Sequence, residues 1–234
     1  MLGNFYAMNF SYFYYMIPAI IIAMWAQFNV KSTFNKYSKV TSARGMTGAQ
    51  VARQILDKNG LYDVSVEQVG GKLNDFYDPR TRVIKLSTPV YNSNSVAAIG
   101  VAAHETGHAI QHSVGYSPLK FRNAIIPVSQ FGSNAAMFVI IGGLIFSRPE
   151  LLLAGIILFS TVLIFQLITL PVEFNASSRA IATLDESGIL YEDELKGAKK
   201  VLTAAALTYV AAMLSTIMTL LYYISIFSGM RKRN

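Results

Sequence analysis

The run at residues 151–172, LLLAGIILFSTVLIFQLITLPV, contains no charged side chain and is followed at once by Glu173-Phe174-Asn175-Ala176-Ser177-Ser178-Arg179. A helix needs about 20 apolar residues to cross a hydrocarbon core about 30 Å thick, so this run is long enough to span one. Working outward, three further uncharged runs meet the same length: Phe10–Phe28, Asn123–Ser147 and Val201–Met230. A buried core helix would explain one such run, but several in a chain of 234 residues point to a bilayer as solvent. The expected fold is a mainly α integral membrane protein with four transmembrane helices and one small α+β insertion. The implied organisation is a first transmembrane helix in 1–30, a soluble insertion in 31–122, and three transmembrane helices in 123–234, with residues 173–200 between the last two.

Composition agrees with this division. Hydrophobic residues make up 53% of the chain and charged residues 14%, against about a quarter charged in an ordinary soluble domain. Tyr12, Tyr14 and Tyr15 stand near one end of the first run and Trp25 near the other, as in an interfacial aromatic belt. That segment lacks the basic n-region and small-residue cleavage site of a signal peptide and reads as a retained anchor. There is no cysteine, so disulfides, thiolate ligands and cysteine nucleophiles are excluded. The net charge of +7 comes without any nucleic-acid-binding motif and reads as topology, because membrane proteins collect Lys and Arg in cytoplasmic loops. Lys31, Lys36, Lys39, Arg44, Lys120, Arg122, Arg179, Lys196, Lys199 and Lys200 would share one side, against Arg148, Arg231, Lys232 and Arg233 on the other. The insertion is therefore expected in the cytoplasm, although the basic C-terminal cluster pulls the other way.

Within the insertion, Met46–Gly60 reads as a helix with Thr47 as N-cap and Val51, Ile55 and Leu56 as its apolar stripe. Asp63–Val69 and Arg82–Ser87 read as strands, the second preceded by the turn Asp78-Pro79-Arg80-Thr81. Ser95–Ser113 reads as a helix capped by Ser93 or Ser95 and ended by Gly115, Ser117 and Pro118.

That last helix holds all three histidines, His104, His108 and His112. Residues four apart share a helix face about 6 Å apart along the axis, so the rings of His104 and His108 can converge on one ion. Glu105 lies about 100° round, beside the ion and not on it. His104-Glu105-Thr106-Gly107-His108 thus has the zincin arrangement, in which two imidazoles hold Zn²⁺ and a carboxylate takes a proton from water. The competing reading is a polar helix face near a membrane. His112 lies about 12 Å of axial rise beyond His104, so its expected place is around the site or in solvent, with ligation a minor alternative. A carboxylate is then needed as third ligand. Glu150 falls in the turn on the opposite side of the bilayer, and Asp185, Glu186, Glu192, Asp193 and Glu194 look like a solvated face. Glu173 stands where the third span emerges on the same side as His104; its competing reading is an interfacial carboxylate.

These segments resemble the YugP-type zinc-dependent membrane proteases of bacteria, and more distantly the HtpX group of integral-membrane gluzincins. The resemblance rests on Thr47-Gly48-Ala49, Asn59-Gly60-Leu61-Tyr62-Asp63-Val64, Tyr77-Asp78-Pro79-Arg80-Thr81, Ala102–His112 and Pro171-Val172-Glu173-Phe174. It implies a zincin-like insertion and a zinc metalloendopeptidase with one Zn²⁺ per chain on His104, His108 and Glu173. Where the HtpX group carries Glu-x-x-Ala-Asp, this chain has Glu173, Ala176 and Ser177. Asn175 stands where the YugP pattern has an aspartate. Neither Ser177 nor Asn175 supplies the negative charge that commonly orients a ligand histidine.

On this reading Glu105 is the general base for peptide hydrolysis. Arg179 and Tyr116 are candidate oxyanion donors, and His112 and Asn175 candidates for contacts around the metal. The resemblance further implies that Arg82–Ser87 is an edge strand, with Val83, Ile84, Lys85 and Leu86 pairing with an extended polypeptide substrate. It places the protein in the bacterial cell membrane, active site toward the cytoplasm, in quality control of membrane proteins, with the lipid bilayer and no nucleic acid as partner. The rival classes are a zinc-binding scaffold or chaperone factor without hydrolysis, and a small transporter with a histidine proton relay. Glu105 favours the enzyme over the first, and the charge-free spans disfavour the second.

Overall fold

The computed structural model describes residues 2–71 and 74–232, with side chains from Tyr12 onward; Arg233 of the basic C-terminal cluster lies outside the described residues. In chain order the elements are α1 (Leu2–Tyr37), α2 (Gly48–Lys58), β1 (Ser65–Val69), β2 (Phe76–Asp78), β3 (Val83–Ser87), α3 (Thr88–Tyr91), α4 (Val96–Ser113), α5 (Ser117–Ile145), α6 (Pro149–Glu186) and α7 (Glu192–Arg231). Four helices, α1, α5, α6 and α7, are long and apolar enough to cross a membrane. They outrun the uncharged sequences: α6 continues past Val172 to Glu186, and α7 starts at Glu192 instead of Val201. Hydropathy marks where a span must be apolar, whereas a nucleated helix goes on adding one hydrogen bond per residue through polar sequence. The expected turn between α5 and α6 is present, with Ser147 in the left-handed region at φ 51° and Pro149 opening α6.

The chain divides into two compact units. One contains Met1–Gln27, Phe121–Leu170 and Thr208–Asn234. Its interior is built on Ala136, Ile140, Leu152, Ile156 and Leu220, while Tyr14, Phe138 and Ile145 are 75%, 76% and 71% exposed. Large apolar side chains on the outside of helices suit a hydrocarbon solvent.

The other unit contains Phe28–Lys120 and Pro171–Leu207. Here α2 begins with a capping box, Thr47 accepting from the Gln50 N–H and the Gln50 side chain accepting from the Thr47 N–H. Its stripe Val51, Ile55 and Leu56 packs with Ile84 and Leu86 of β3, with Ile99 and Ala102 of α4, and with Leu184, Ile189 and Leu202. Ser95 caps α4 by accepting from the Ala98 N–H, and the Val96 N–H donates to the Val40 carbonyl, tying the helix start to the segment after α1. Gly115, at φ 66°, ends α4, with Tyr116 N–H returning to the Gln111 carbonyl.

The sheet corrects the edge-strand expectation. Its order is β1-β3-β2, β3 pairing in parallel with β1 (Ser65↔Val83 to Val69↔Ser87) and antiparallel with β2 (Phe76↔Lys85 to Asp78↔Val83). Val83, Ile84 and Lys85 therefore form the centre of the sheet, with both backbone edges taken, and Leu86 pairs with β1 alone. The open edges belong to β1 and to β2, a strand the sequence reading does not anticipate and whose last residue, Asp78, also begins the expected turn.

Candidate metal centre

Residues 104, 107, 108 and 111 fall on one stripe of α4. Gly107 provides the contact point. A Cβ there would lie 2.5 Å from the carbonyl oxygen of Ala176 and 3.2 Å from its Cα, so only glycine lets the backbones of α4 and α6 come this close. Two histidines one turn apart on α4 are thereby set against the Val172–Ser177 stretch of α6.

The result is a compact donor set. His104 Nε2 lies 3.3 Å from Glu173 Oε2 and His108 Nε2 lies 3.6 Å from the same oxygen. One ligand atom from each of the three residues falls within 4.8 Å of the others. The two rings stand nearly perpendicular, at 84° with centroids 4.8 Å apart, and both Nε2 atoms approach the same carboxylate oxygen. Two imidazole nitrogens and one carboxylate oxygen, half-buried to buried, are the donor types of a catalytic zinc site with an open fourth position. The residues fit the ion.

Gln111 is fully buried and links the two helices. Its Nε2 donates to the Val172 carbonyl at 2.8 Å and to Asn175 Oδ1 at 3.0 Å, and its Oε1 lies 3.0 Å from His108 Nδ1. Asn175 Oδ1 also accepts from Arg179 Nε at 2.8 Å. These contacts determine where the protons are. A guanidinium only donates and a backbone carbonyl only accepts. Arg179 therefore fixes the Asn175 oxygen, Asn175 and Val172 fix the Gln111 nitrogen, and Gln111 Oε1 must receive its proton from His108 Nδ1. On the neutral ring, the form that ligates a metal, that leaves the lone pair of His108 on Nε2, facing Glu173. His104 is held more loosely, its Nδ1 lying 3.1 Å from Ser177 Oγ, a hydroxyl able to donate or accept.

Asn175 and Ser177 thus occupy the places around the histidines, with neutral hydrogen bonds where a carboxylate was the familiar solution. Arg179 reaches Asn175 through its Nε. Tyr116 makes no side-chain hydrogen bond among the described residues. His112 is exposed, and its Nδ1 pairs with the Tyr77 hydroxyl at 2.8 Å, a link from β2 to α4. Gln111 and Tyr77 are absent from the expected site; their partners lie far along the chain, and only the run Ala102–His112 offered Gln111 as a candidate.

Glu105 is buried at 7% exposure and makes no hydrogen bond or ion pair among the described residues. Burial raises its pKa above the ordinary carboxylate range, opposed by the positive charge available at His104 and His108. For His108 without the ion, burial disfavours the charged ring, but the hydrogen bond that the charged ring donates to Glu173 and the charge of Glu105 outweigh it, lifting the pKa above its usual value.

No solved structure matches the chain. A relative from Bacillus subtilis (strain 168), named "Putative membrane protease YugP", is 52% identical over 218 residues, which cover 93% of this chain and 97% of the relative. Residues 12–228 match the family described as "Putative neutral zinc metallopeptidase", and with nearly its whole length inside that match the chain belongs to this zinc metallopeptidase family.

Proposed function

We propose that this protein is a membrane-embedded zinc metalloendopeptidase in which His104, His108 and Glu173 hold one Zn²⁺ and Glu105 is the general base for hydrolysis of peptide bonds in polypeptide substrates. The observation that carries the reading is the convergence of His104 Nε2, His108 Nε2 and Glu173 Oε2. Zinc in such a site supplies Lewis acidity, easing deprotonation of water and polarising a carbonyl. Glu105 does the proton work. Its carboxylate takes a proton from the attacking water and returns it to the departing amine, and a pKa raised by burial suits a group that must do both near neutral pH. Buried carboxylates whose pKa is raised by desolvation gather at catalytic sites.

Because β3 is enclosed, β2 is the better candidate for backbone pairing with substrate: it has an open edge and is bonded to the histidine-bearing helix through Tyr77 and His112. The lysine and arginine distribution supports a cytoplasmic active site, and the relative's printed name supports work at a membrane. Quality control of membrane proteins fits both.

The experiment is cleavage of an unfolded reporter by purified protein and by Glu105→Gln, with metal content measured alongside. Hydrolysis should fall by about 10²- to 10⁴-fold in the variant while both proteins keep one zinc. Equal background cleavage in both would end the peptidase reading and leave a zinc-binding scaffold.

A further inference from the structure

A second cavity, of about 510 Å³, lies in the same unit as the metal centre but among other residues, between the C-terminal end of α1 and the start of α7. Lys36, Lys196, Lys199 and Lys200 line it, with Ser32, Thr33 and Thr203 supplying hydroxyls. Lys196 is committed to Glu192 at 2.8 Å and to Asp193 at 3.4 Å. Lys36 lies over the Tyr37 ring, 5.6 Å from its centroid, and among the described residues no carboxylate pairs with Lys36, Lys199 or Lys200. Gly197 fixes the wall, since a Cβ there would stand 2.7 Å from Tyr37 Cε1.

The position of this cavity along the two helices distinguishes it from scattered topological lysines. In α1 the uncharged sequence ends at Val30, and in α7 it begins at Val201. The lining residues straddle both boundaries, from Asn29 to Tyr37 and from Lys196 to Leu207. Ala204 and Leu207 thus lie on the apolar side of the boundary and the lysines on the charged side, the depth at which a bilayer changes from acyl chain to phosphate.

We propose that this cleft binds the headgroup of an anionic phospholipid, Lys36, Lys199 and Lys200 taking the phosphate while Ala204 and Leu207 meet the first carbons of the acyl chains. Two or three ammonium groups with neighbouring hydroxyls complement a phosphate diester, and a zwitterionic headgroup would bring its own cation into the same lysines.

The test titrates purified protein in detergent with dioctanoyl phosphatidylglycerol, dioctanoyl phosphatidylcholine or inorganic phosphate and reads bound species by native mass spectrometry. The native chain should retain phosphatidylglycerol over phosphatidylcholine. The Lys36→Gln, Lys199→Gln, Lys200→Gln triple variant should lose at least about tenfold in that binding with unchanged zinc content, and the matching triple Lys→Arg variant should keep it. A Lys31→Gln, Lys39→Gln, Lys120→Gln variant, with the same charge removed outside the cavity, should bind normally. An equal loss in both glutamine triples, equal retention of the two lipids, or binding of inorganic phosphate without lipid preference would overturn the proposal.

Discussion

Gln111 is spoken for at all three of its polar positions, and its two helices depend on it unequally. From α4 it holds His108 in the tautomer that presents Nε2; toward α6 it grips the backbone one residue before Glu173. Removing the amide by Gln111→Leu strands the Val172 carbonyl and frees the His108 ring, and Gln111→Glu sets a carboxylate against a carbonyl with no proton to share. Outer contacts of this kind typically matter by about 10- to 100-fold in metal affinity, so both variants should weaken zinc binding by that much in competition with a chromophoric chelator. Ser177→Ala should cost less, because the serine imposes no tautomer on His104. His104, Glu105 and His108 were legible because their relation is local, set by one turn of helix. Glu173 was legible through its place at a span end and the scarcity of other carboxylates. Gln111 was not, because its meaning arises only when Val172, 61 residues further along, is brought beside it.

Contacts between elements depend on small features that hydropathy does not register. Gly107→Ala puts a methyl group against the Ala176 backbone, and overpacking of this kind costs about 1–3 kcal/mol. A lowered thermal midpoint together with reduced zinc content should follow, since the same contact sets the ligand spacing. The sheet offers a second case. Asp75 ties the start of β2 to the end of β3, accepting from the Ser87 N–H at 2.7 Å and the Ser87 hydroxyl at 3.0 Å. Burial, the largest influence, raises its pKa above 3.8 despite those bonds. A carboxyl whose folded pKa is raised contributes its full stability below the unfolded value and loses it as pH rises through the folded one. Asp75→Asn keeps an acceptor for the Ser87 N–H and carries no charge. Its thermal midpoint relative to the native chain should therefore improve on going from pH 3.5 to pH 7; a gap that stays constant would show that the Asp75 charge is immaterial. Alternation and β-branching revealed β1 and β3 as strands, but strand order is a non-local property, and a three-residue β2 leaves too little pattern to read. The edge position expected of β3 came from the resemblance alone, and nothing local in the sequence could correct it.

For the whole molecule, membrane character was legible because the bilayer imposes a length and a composition on every span, and the four helices meet both. The orientation can be tested cleanly, as the chain has no cysteine of its own. Single Ser38→Cys and Ser187→Cys variants, at positions that are exposed and half-exposed, should be labelled by a membrane-impermeant maleimide only after the cell membrane is opened, and labelling of intact cells would reverse the topology. The division into two units also has a consequence for how the protein is made. His104 and His108 leave the ribosome well before Glu173, and most of the residues made in between, Phe121–Leu170, belong to the other unit. At about 5–20 residues per second, the growing chain spends several seconds with two donors and no third. On the function proposed above, the enzyme is in this way born inert, and its third metal-binding side chain arrives only after two more spans have been synthesised.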